Sequence, residues 1–276
     1  MDTDINVAAA ATIGMLTVRI IINLITILNR PRPFKGQKIC HPFKVVKLEL
    51  PDNWAKGKKT KLQPVYTPDF ISPEVEEAIK NATAFEVKLD GQCALVVKNA
   101  DGSFTIYARL DIKRDEKTGE FKTPPLGAIP GEPKPTDEKA DHWPHYVPLE
   151  TNSSMYKWVK VAFDSAVKSG KLEGINQSFT CEIMGQKINK NNTCDPVTQD
   201  AVIVPHGLIS IEIPVELRNY DGFLKIFNAF PFIEGIVAYG ENDVWKIRRD
   251  MFLVDGNRLE WPTKEVNALA QRVALV

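Results

Sequence analysis

The sequence predicts an α+β fold built on antiparallel strands, and three observations predict it. Alternating runs meet across short turns twice, once around Ala100-Asp101-Gly102 and once around Gly240-Glu241-Asn242, which is the hairpin signature. Helical patterns with start and stop signals stand apart from those strands, the clearest opening at Ser72-Pro73-Glu74. Of the 276 residues, 43% are hydrophobic, enough to bury one large domain, or one domain with a small appendage. Helices mixed with antiparallel strands define the class.

Residues 7–28 are almost wholly apolar and long enough to cross a bilayer. Arg19 and Asn23 interrupt them, and an arginine at mid-membrane costs roughly 2.5–3.5 kcal/mol on insertion scales. Leu16, Val18, Ile20, Ile22 and Leu24 share one face at period two, with Thr17, Arg19 and Asn23 among the residues opposite. The segment reads either as a buried strand or helix or as a membrane anchor or targeting sequence. No secretory cleavage pattern is evident. Asn29-Arg30-Pro31-Arg32-Pro33 is rich in breakers, so a boundary near residues 35–40 separates an apolar extension, 1–40, from a domain over 41–276. Lys56-Gly57-Lys58-Lys59-Thr60-Lys61 is a basic loop, either a solvated turn or a contact for a phosphate backbone.

Ser72 caps a helix, Pro73 occupies its first turn, and Glu74, Glu76 and Glu77 complement its dipole. The helix ends near Asn81. A strand carrying Lys88 follows, and residues 103–110 return as its hairpin partner. Residues 111–148 hold many prolines, glycines and charges with little periodicity, and read as a long surface excursion or lid. Ser153 or Ser154 then caps a helix with the stripe Tyr156, Val159, Phe163, Ala166 and Val167, stopped by Gly170. Residues 179–184 and 201–213 read as strands, 220–230 as a helix ended by Pro231, 233–239 with 243–247 as a second hairpin, and 263–274 as a final helix.

Lys plus Arg and Asp plus Glu both number 35, so a uniformly basic nucleic-acid coat is excluded while a local basic groove is not. Cys40, Cys93, Cys181 and Cys194 form no Cys-x-x-Cys pair and have no histidine at zinc-ligand spacing. Cys93 and Cys181 sit in apolar runs and read as core residues. The expected setting is intracellular, cytoplasmic and reducing. The phosphate-binding Gly-x-x-x-x-Gly-Lys-[Ser/Thr] pattern is absent, and no serine, histidine and acid are grouped as a hydrolytic triad.

Lys88, in Glu86-Val87-Lys88-Leu89-Asp90-Gly91, is the candidate nucleophile. An amine attacks only when deprotonated, which burial and neighbouring cations favour. Lys246 and Arg248, two apart on one strand and so on one face, are candidate neighbours. The same pair suits a phosphate whose charge grows as attack proceeds. Gly91 permits close backbone approach. Glu234 leads an otherwise apolar strand; it is either an exposed edge carboxylate or one partnered by magnesium on nucleotide phosphates. Glu182, in Cys181-Glu182-Ile183-Met184-Gly185, lies either on a solvated face or against ribose hydroxyls. Arg109 either grips a phosphate bidentately or pairs with Asp111. His206 reads as a hydrogen-bonded structural histidine.

In combination these segments resemble the covalent nucleotidyltransferases, which comprise DNA ligases, RNA ligases and mRNA capping enzymes. Lys88-Leu89-Asp90-Gly91 resembles their motif I, Glu234-Gly235-Ile236-Val237 motif IV, and Lys246-Ile247-Arg248 motif V. DNA ligases and capping enzymes usually carry an arginine two residues after the motif I glycine, where this chain has Cys93. They also append an OB domain, for which little chain follows Arg248. His41-Pro42-Phe43-Lys44-Val45, Ala108-Arg109-Leu110-Asp111, Val147-Pro148-Leu149-Glu150, Pro205-His206-Gly207 and Trp261-Pro262 are similar to segments of the small vertebrate-type 5′-to-3′ RNA ligases, in the same order. Those ligases place a glutamate directly before the lysine; here Val87 is there and Glu86 lies one earlier.

The resemblance implies an ATP-grasp-like nucleotidyltransferase core of antiparallel sheets flanked by helices, with no C-terminal OB domain. It implies ATP as cofactor with Mg2+, or Mn2+ in its place, and RNA with 5′-phosphate and 3′-hydroxyl ends as partner. Lys88 becomes a lysine-AMP phosphoramidate, AMP moves to the RNA 5′-phosphate, and the 3′-hydroxyl displaces it. Lys246 shares the catalytic work at the α-phosphate. Glu86, Val87, Asp90, Gly91, Arg109, Glu182, Glu234, Lys246 and Arg248 line the nucleotide, with Glu182 at the ribose and Glu234 at the metal. The alternatives are another covalent nucleotidyltransferase (a DNA ligase or a GTP-using capping enzyme) or a non-catalytic nucleic-acid-binding module.

Overall fold

The computed structural model describes residues 25–27, 39–51, 60–137, 140–149, 156–185, 187–188, 201–231, 233–241 and 243–260. The expectations for most of 7–28, for the 29–33 link, for most of the basic loop, for Glu150, for a cap at Ser153 or Ser154, for Trp261-Pro262 and for a helix over 263–274 lie outside them. The described residues form a mixed α+β fold with three α-helices and antiparallel sheets. They divide into two compact units, one drawn from 1–27, 40–88 and 209–262, the other from 28–39, 89–208 and 263–276. The chain passes from the first to the second between Lys88 and Leu89 and returns between Leu208 and Ile209.

The first unit holds a five-stranded antiparallel sheet. Its strands are β1 (Ile25–Ile27), β4 (Ala84–Lys88), β11 (Ile209–Ile211), β12 (Gly235–Tyr239) and β13 (Val244–Arg248), in the order β1-β11-β4-β12-β13. The end of the apolar 7–28 run is thus a strand, paired with β11. No helix among the described residues is long and apolar enough to cross a membrane. A long hairpin, β2 (Phe43–Pro51) with β3 (Thr60–Phe70), belongs to the same unit. Helix α1 (Pro73–Lys80) begins as its residues dictate: the Ser72 side chain accepts from the Val75 N–H, and Asn81 follows as the C-cap. Helix α3 (Tyr220–Ala229) is capped by Asn219, whose Oδ1 accepts from the Gly222 N–H at 2.9 Å. Phe43 is fully buried and its ring contacts those of Tyr66, Phe70, Tyr220, Phe223 and Phe252. Aromatic pairs of this kind add about 0.5–1.5 kcal/mol each beyond area burial.

The second unit holds a six-stranded antiparallel sheet, and its strands are β5 (Gln92–Lys98), β6 (Phe104–Lys113), β7 (Ile129–Pro130), β8 (His142–Pro148), β9 (Phe179–Met184) and β10 (Val202–Pro205). Their order is β10-β9-β5-β6-β8-β7. One face packs on α2 (Lys157–Lys168) through Ala94, Val96, Ala108, Ile183 and Ile203, which meet Val159, Ala162 and Ala166. Of the expected helix stripe, Val167 instead points outward, 52% exposed.

Three expectations are corrected. The partner of the 103–110 strand is β5, not the Lys88 strand; Asp90-Gly91 ends one strand and the next begins in another sheet. Residues 201–213 are two strands, β10 and β11, in different sheets, because Gly207 at φ +88° turns the chain between them. The excursion at 111–148 shrinks from both ends. β6 runs to Lys113 and 142–148 is a sheet strand whose prolines, Pro144 and Pro148, mask its alternation. The intervening loop is tied by Arg114, which bonds the Ala140, Gly119 and Asp137 carbonyls and stacks on Phe121.

Candidate functional site

Register sets the first group of residues. Directly opposed residues of an antiparallel ladder share a face. Lys88 lies opposite Gly235, which lies opposite Arg248; Glu86 lies opposite Val237, which lies opposite Lys246. Glu86, Lys88, Lys246 and Arg248 therefore project from one face of the first unit's sheet. Glu234, just before β12, meets them there. Lys88 Nζ donates to Glu234 Oε1 at 2.6 Å and Oε2 at 2.7 Å, with the Glu234 side chain only 5% exposed. The exposed-edge reading of Glu234 gives way to a buried one, partnered by the lysine. Gly235 is required beside it: a Cβ there would stand 2.5 Å from the Ile247 carbonyl oxygen and 3.3 Å from Lys88 Cδ. Glu86 is buried and accepts from Tyr239 Oη at 3.0 Å. The adjacent Val87 is buried with the core, as alternation requires.

Arg248 also bonds Asp250, Nη2 to Oδ2 at 2.6 Å, an oxygen shared with Arg258 Nη2 at 2.5 Å. Two further residues complete this face. His41 Nδ1 lies 2.6 Å from Tyr66 Oη, which accepts from the Arg248 N–H at 3.1 Å. Burial, then Lys246, Arg248 and Lys88, hold His41 down at about 4 against an ordinary 6.5. The imidazole thus senses three cations converging. Neither His41 nor Tyr66 carried a chemical signal in sequence; His41 stood out only within a short segment, and Tyr66 is one aromatic in a strand.

A pH dependence follows. Above about pH 6.5 His41 is neutral folded and unfolded, and its contribution is intact. As pH falls from 6.5 toward about 4, the unfolded chain takes a proton that the folded one refuses. Stability declines there by up to about 1.4 kcal/mol per pH unit from this group. Thermal melts across pH 4–7 are expected to show a shallower acid-side decline in His41→Gln than in the wild type; parallel declines would contradict the assignment.

In the second unit, Glu182 Oε1 accepts from the Gly91 N–H at 2.9 Å, and Oε2 lies 3.2 Å from His206 Nε2. His206 Nδ1 lies 3.0 Å from Thr180 Oγ1, so the histidine is hydrogen-bonded on both sides as expected. Glu182 is held by backbone and histidine rather than facing open solvent. A Cβ on Gly91 would collide with the Ile183 carbonyl oxygen and stand 2.7 Å from Glu182 Cγ. Gly91→Ala is expected to break the Gly91–Glu182 bond and to cost about 1–3 kcal/mol in urea denaturation. An unchanged midpoint would show that the loop has room to move.

Arg109 Nε donates to Asp111 Oδ1 at 3.0 Å, the ion-pair reading of this residue, and lies opposite Tyr146. Cys93 Sγ is 3.9 Å from Tyr146 Oη. Burial first, then Glu182, push the Cys93 thiol up to about 12, so it stays protonated and unreactive. Asp90 adjoins Gly91 in the turn after Leu89.

Among the described residues no group of three or more His, Cys, Asp or Glu is placed to hold a metal. Glu234 alone suits a cation that brings most of its oxygen ligands on phosphates and water. Searches against protein-family models, curated proteins and solved structures find no match.

Proposed function

We propose that the protein is an ATP-dependent RNA ligase that joins 5′-phosphate and 3′-hydroxyl ends through a lysine-AMP intermediate on Lys88. The observation that carries the reading is the lysine centre of the first unit. One amine, 25% exposed, is gripped by both oxygens of a buried carboxylate on the face that carries Lys246 and Arg248. In the first step Lys88 Nζ attacks the ATP α-phosphorus. The N–P bond forms as the bond to the β-phosphate oxygen breaks, and pyrophosphate departs. Glu234 is within reach of the proton that the amine must lose. Lys246 and Arg248 supply fixed positive charge for the phosphoryl oxygens.

Mg2+, or Mn2+, arriving on the triphosphate would take Glu234 as its protein ligand and offset phosphate charge. The family resemblance assigns Glu182 to the ribose hydroxyls, Asp90 and Gly91 to the nucleotide and Arg109 to a phosphate, and the fold proposed with it is a nucleotidyltransferase core of antiparallel sheets flanked by helices. An intracellular setting suits the free thiols Cys40, Cys93 and Cys181.

Intact-protein mass after incubation with ATP and magnesium tests the reading: an added AMP is expected. Label from GTP instead, or sealing of nicked DNA in place of RNA, would move the assignment to capping or DNA ligation. RNA binding with no adduct would make the chain a binding module.

A further inference from the structure

Strand β13 carries both cations of the lysine face and lies at the edge of its sheet. One side is laddered to β12; among the described residues the other meets Cys40 and Tyr66. The Lys246 N–H donates to the Cys40 carbonyl at 2.8 Å, in a parallel bridge that joins Cys40 to Trp245. The Arg248 N–H donates to Tyr66 Oη, and that hydroxyl lies 3.3 Å from the Lys246 carbonyl. The Tyr66 hydroxyl thus accepts from the Arg248 N–H and donates to the Lys246 carbonyl, bonding two backbone groups of the strand, while His41 Nδ1 lies 2.6 Å from it on the other side. The Tyr66 ring is fixed by Phe43 at 5.4 Å and Phe252 at 5.2 Å between centroids.

A one-residue slip of β13 would turn Lys246 and Arg248 to the opposite face. Edge strands are where such slippage is least resisted. We propose that His41 and Tyr66 are a positioning pair that pins the outer edge of β13, so that Lys246 and Arg248 stay aimed at the phosphates handled by Lys88. The proposal rests on the reading of those two residues as phosphate-binding cations. Tyr66 supplies both contacts to the strand, and His41 holds its hydroxyl in place from beside it. A protonated His41 would add a fourth cation to the cluster of Lys88, Lys246 and Arg248.

The test uses the full chain with Tyr66→Phe, His41→Leu, His41→Gln and, as control, Thr67→Val. Thr67 Oγ1 is buried on the same strand and has no hydrogen-bond partner among the described residues. Tyr66→Phe and His41→Leu are expected to speed hydrogen exchange at the Arg248 amide. They are also expected to slow adduct formation at saturating ATP by about ten- to a hundredfold, the scale of an ångström-sized misplacement. Half-saturating ATP should move little. His41→Gln retains a hydrogen-bonding partner for Tyr66 and should recover most of the rate, and Thr67→Val should match wild type in both readouts.

Wild-type exchange at Arg248 in Tyr66→Phe and His41→Leu overturns the pinning, whatever the protein does with ATP. Faster exchange with an unchanged adduct rate overturns its role in the reaction. Should wild type form no adduct, the ligase reading fails separately. The positioning claim is then decided by affinity for inorganic tripolyphosphate, which should fall in Tyr66→Phe and would refute the claim if unchanged. His41→Leu keeps the Tyr66 ring, so the question survives a Tyr66→Phe that fails to fold.

Discussion

In Lys88→Ala, incubation with ATP and magnesium is expected to leave the protein at its unmodified mass, while wild type gains one AMP. In the proposed chemistry the bond formed is to the lysine nitrogen itself, so no other group is expected to substitute. Lys88→Arg should also stay unlabelled: its guanidinium keeps charge and reach but holds its proton. Two outcomes separate a chemical defect from a structural one. The Lys88→Ala change leaves Glu234 buried at 4% exposure without this amine, and breaking a partly buried ion pair costs up to about 3–5 kcal/mol, less here because Lys88 reaches solvent. Lys88→Ala/Glu234→Gln removes the charge of that buried carboxylate. It should regain stability and still form no adduct. A labelled Lys88→Ala protein would transfer the nucleophile elsewhere and end the proposed chemistry.

The second large effect is on folding. Arg249→Ala is expected to destabilise the first unit by roughly 3–5 kcal/mol, since hydrogen bonds to a charged group are worth about 1.5–3 kcal/mol each. Arg249 is 6% exposed and donates through Nε to the Glu260 carbonyl at 2.6 Å and through Nη1 to the Phe227 carbonyl, with the Phe230 carbonyl at 3.5 Å. One planar fork thus ties the end of α3 to the chain beyond β13. Arg249→Lys offers a single ammonium and should recover only part of the loss. Arg248→Ala, one residue away, should cost less than half as much, because Asp250 keeps its bond to Arg258. Urea denaturation of the three variants measures this, and equal costs for Arg248→Ala and Arg249→Ala would refute it.

These neighbouring arginines show where sequence reading stops. Period two placed Arg248 with Lys246 on one face, and the β12–β13 register agrees. The same alternation sends Arg249 away, but only the folded chain shows carbonyls waiting there. The Ser72 cap, the Asn81 stop, the 220–230 helix and the second hairpin were legible because their signals are local: a capping hydroxyl, a run of helical spacing, a two-strand turn. The hairpin assigned to the Lys88 strand was not. Alternation tells which face a residue takes, never which sheet its strand joins.

What the sequence determined by itself is the inventory and the local geometry: an α+β chain, a lysine ending one strand, a carboxylate leading another, two cations sharing a face. What tertiary structure decided is the pairing of β4 with β12, which brings Lys88 Nζ to 2.6 Å from Glu234, 146 residues further along the chain. It also decided the His41–Tyr66 brace on β13 and the Gly91–Glu182 bond. Short-range signals cannot encode these contacts. Long-range pairing is selected by the burial and hydrogen bonding of the whole sheet, a sum over residues far apart in the chain.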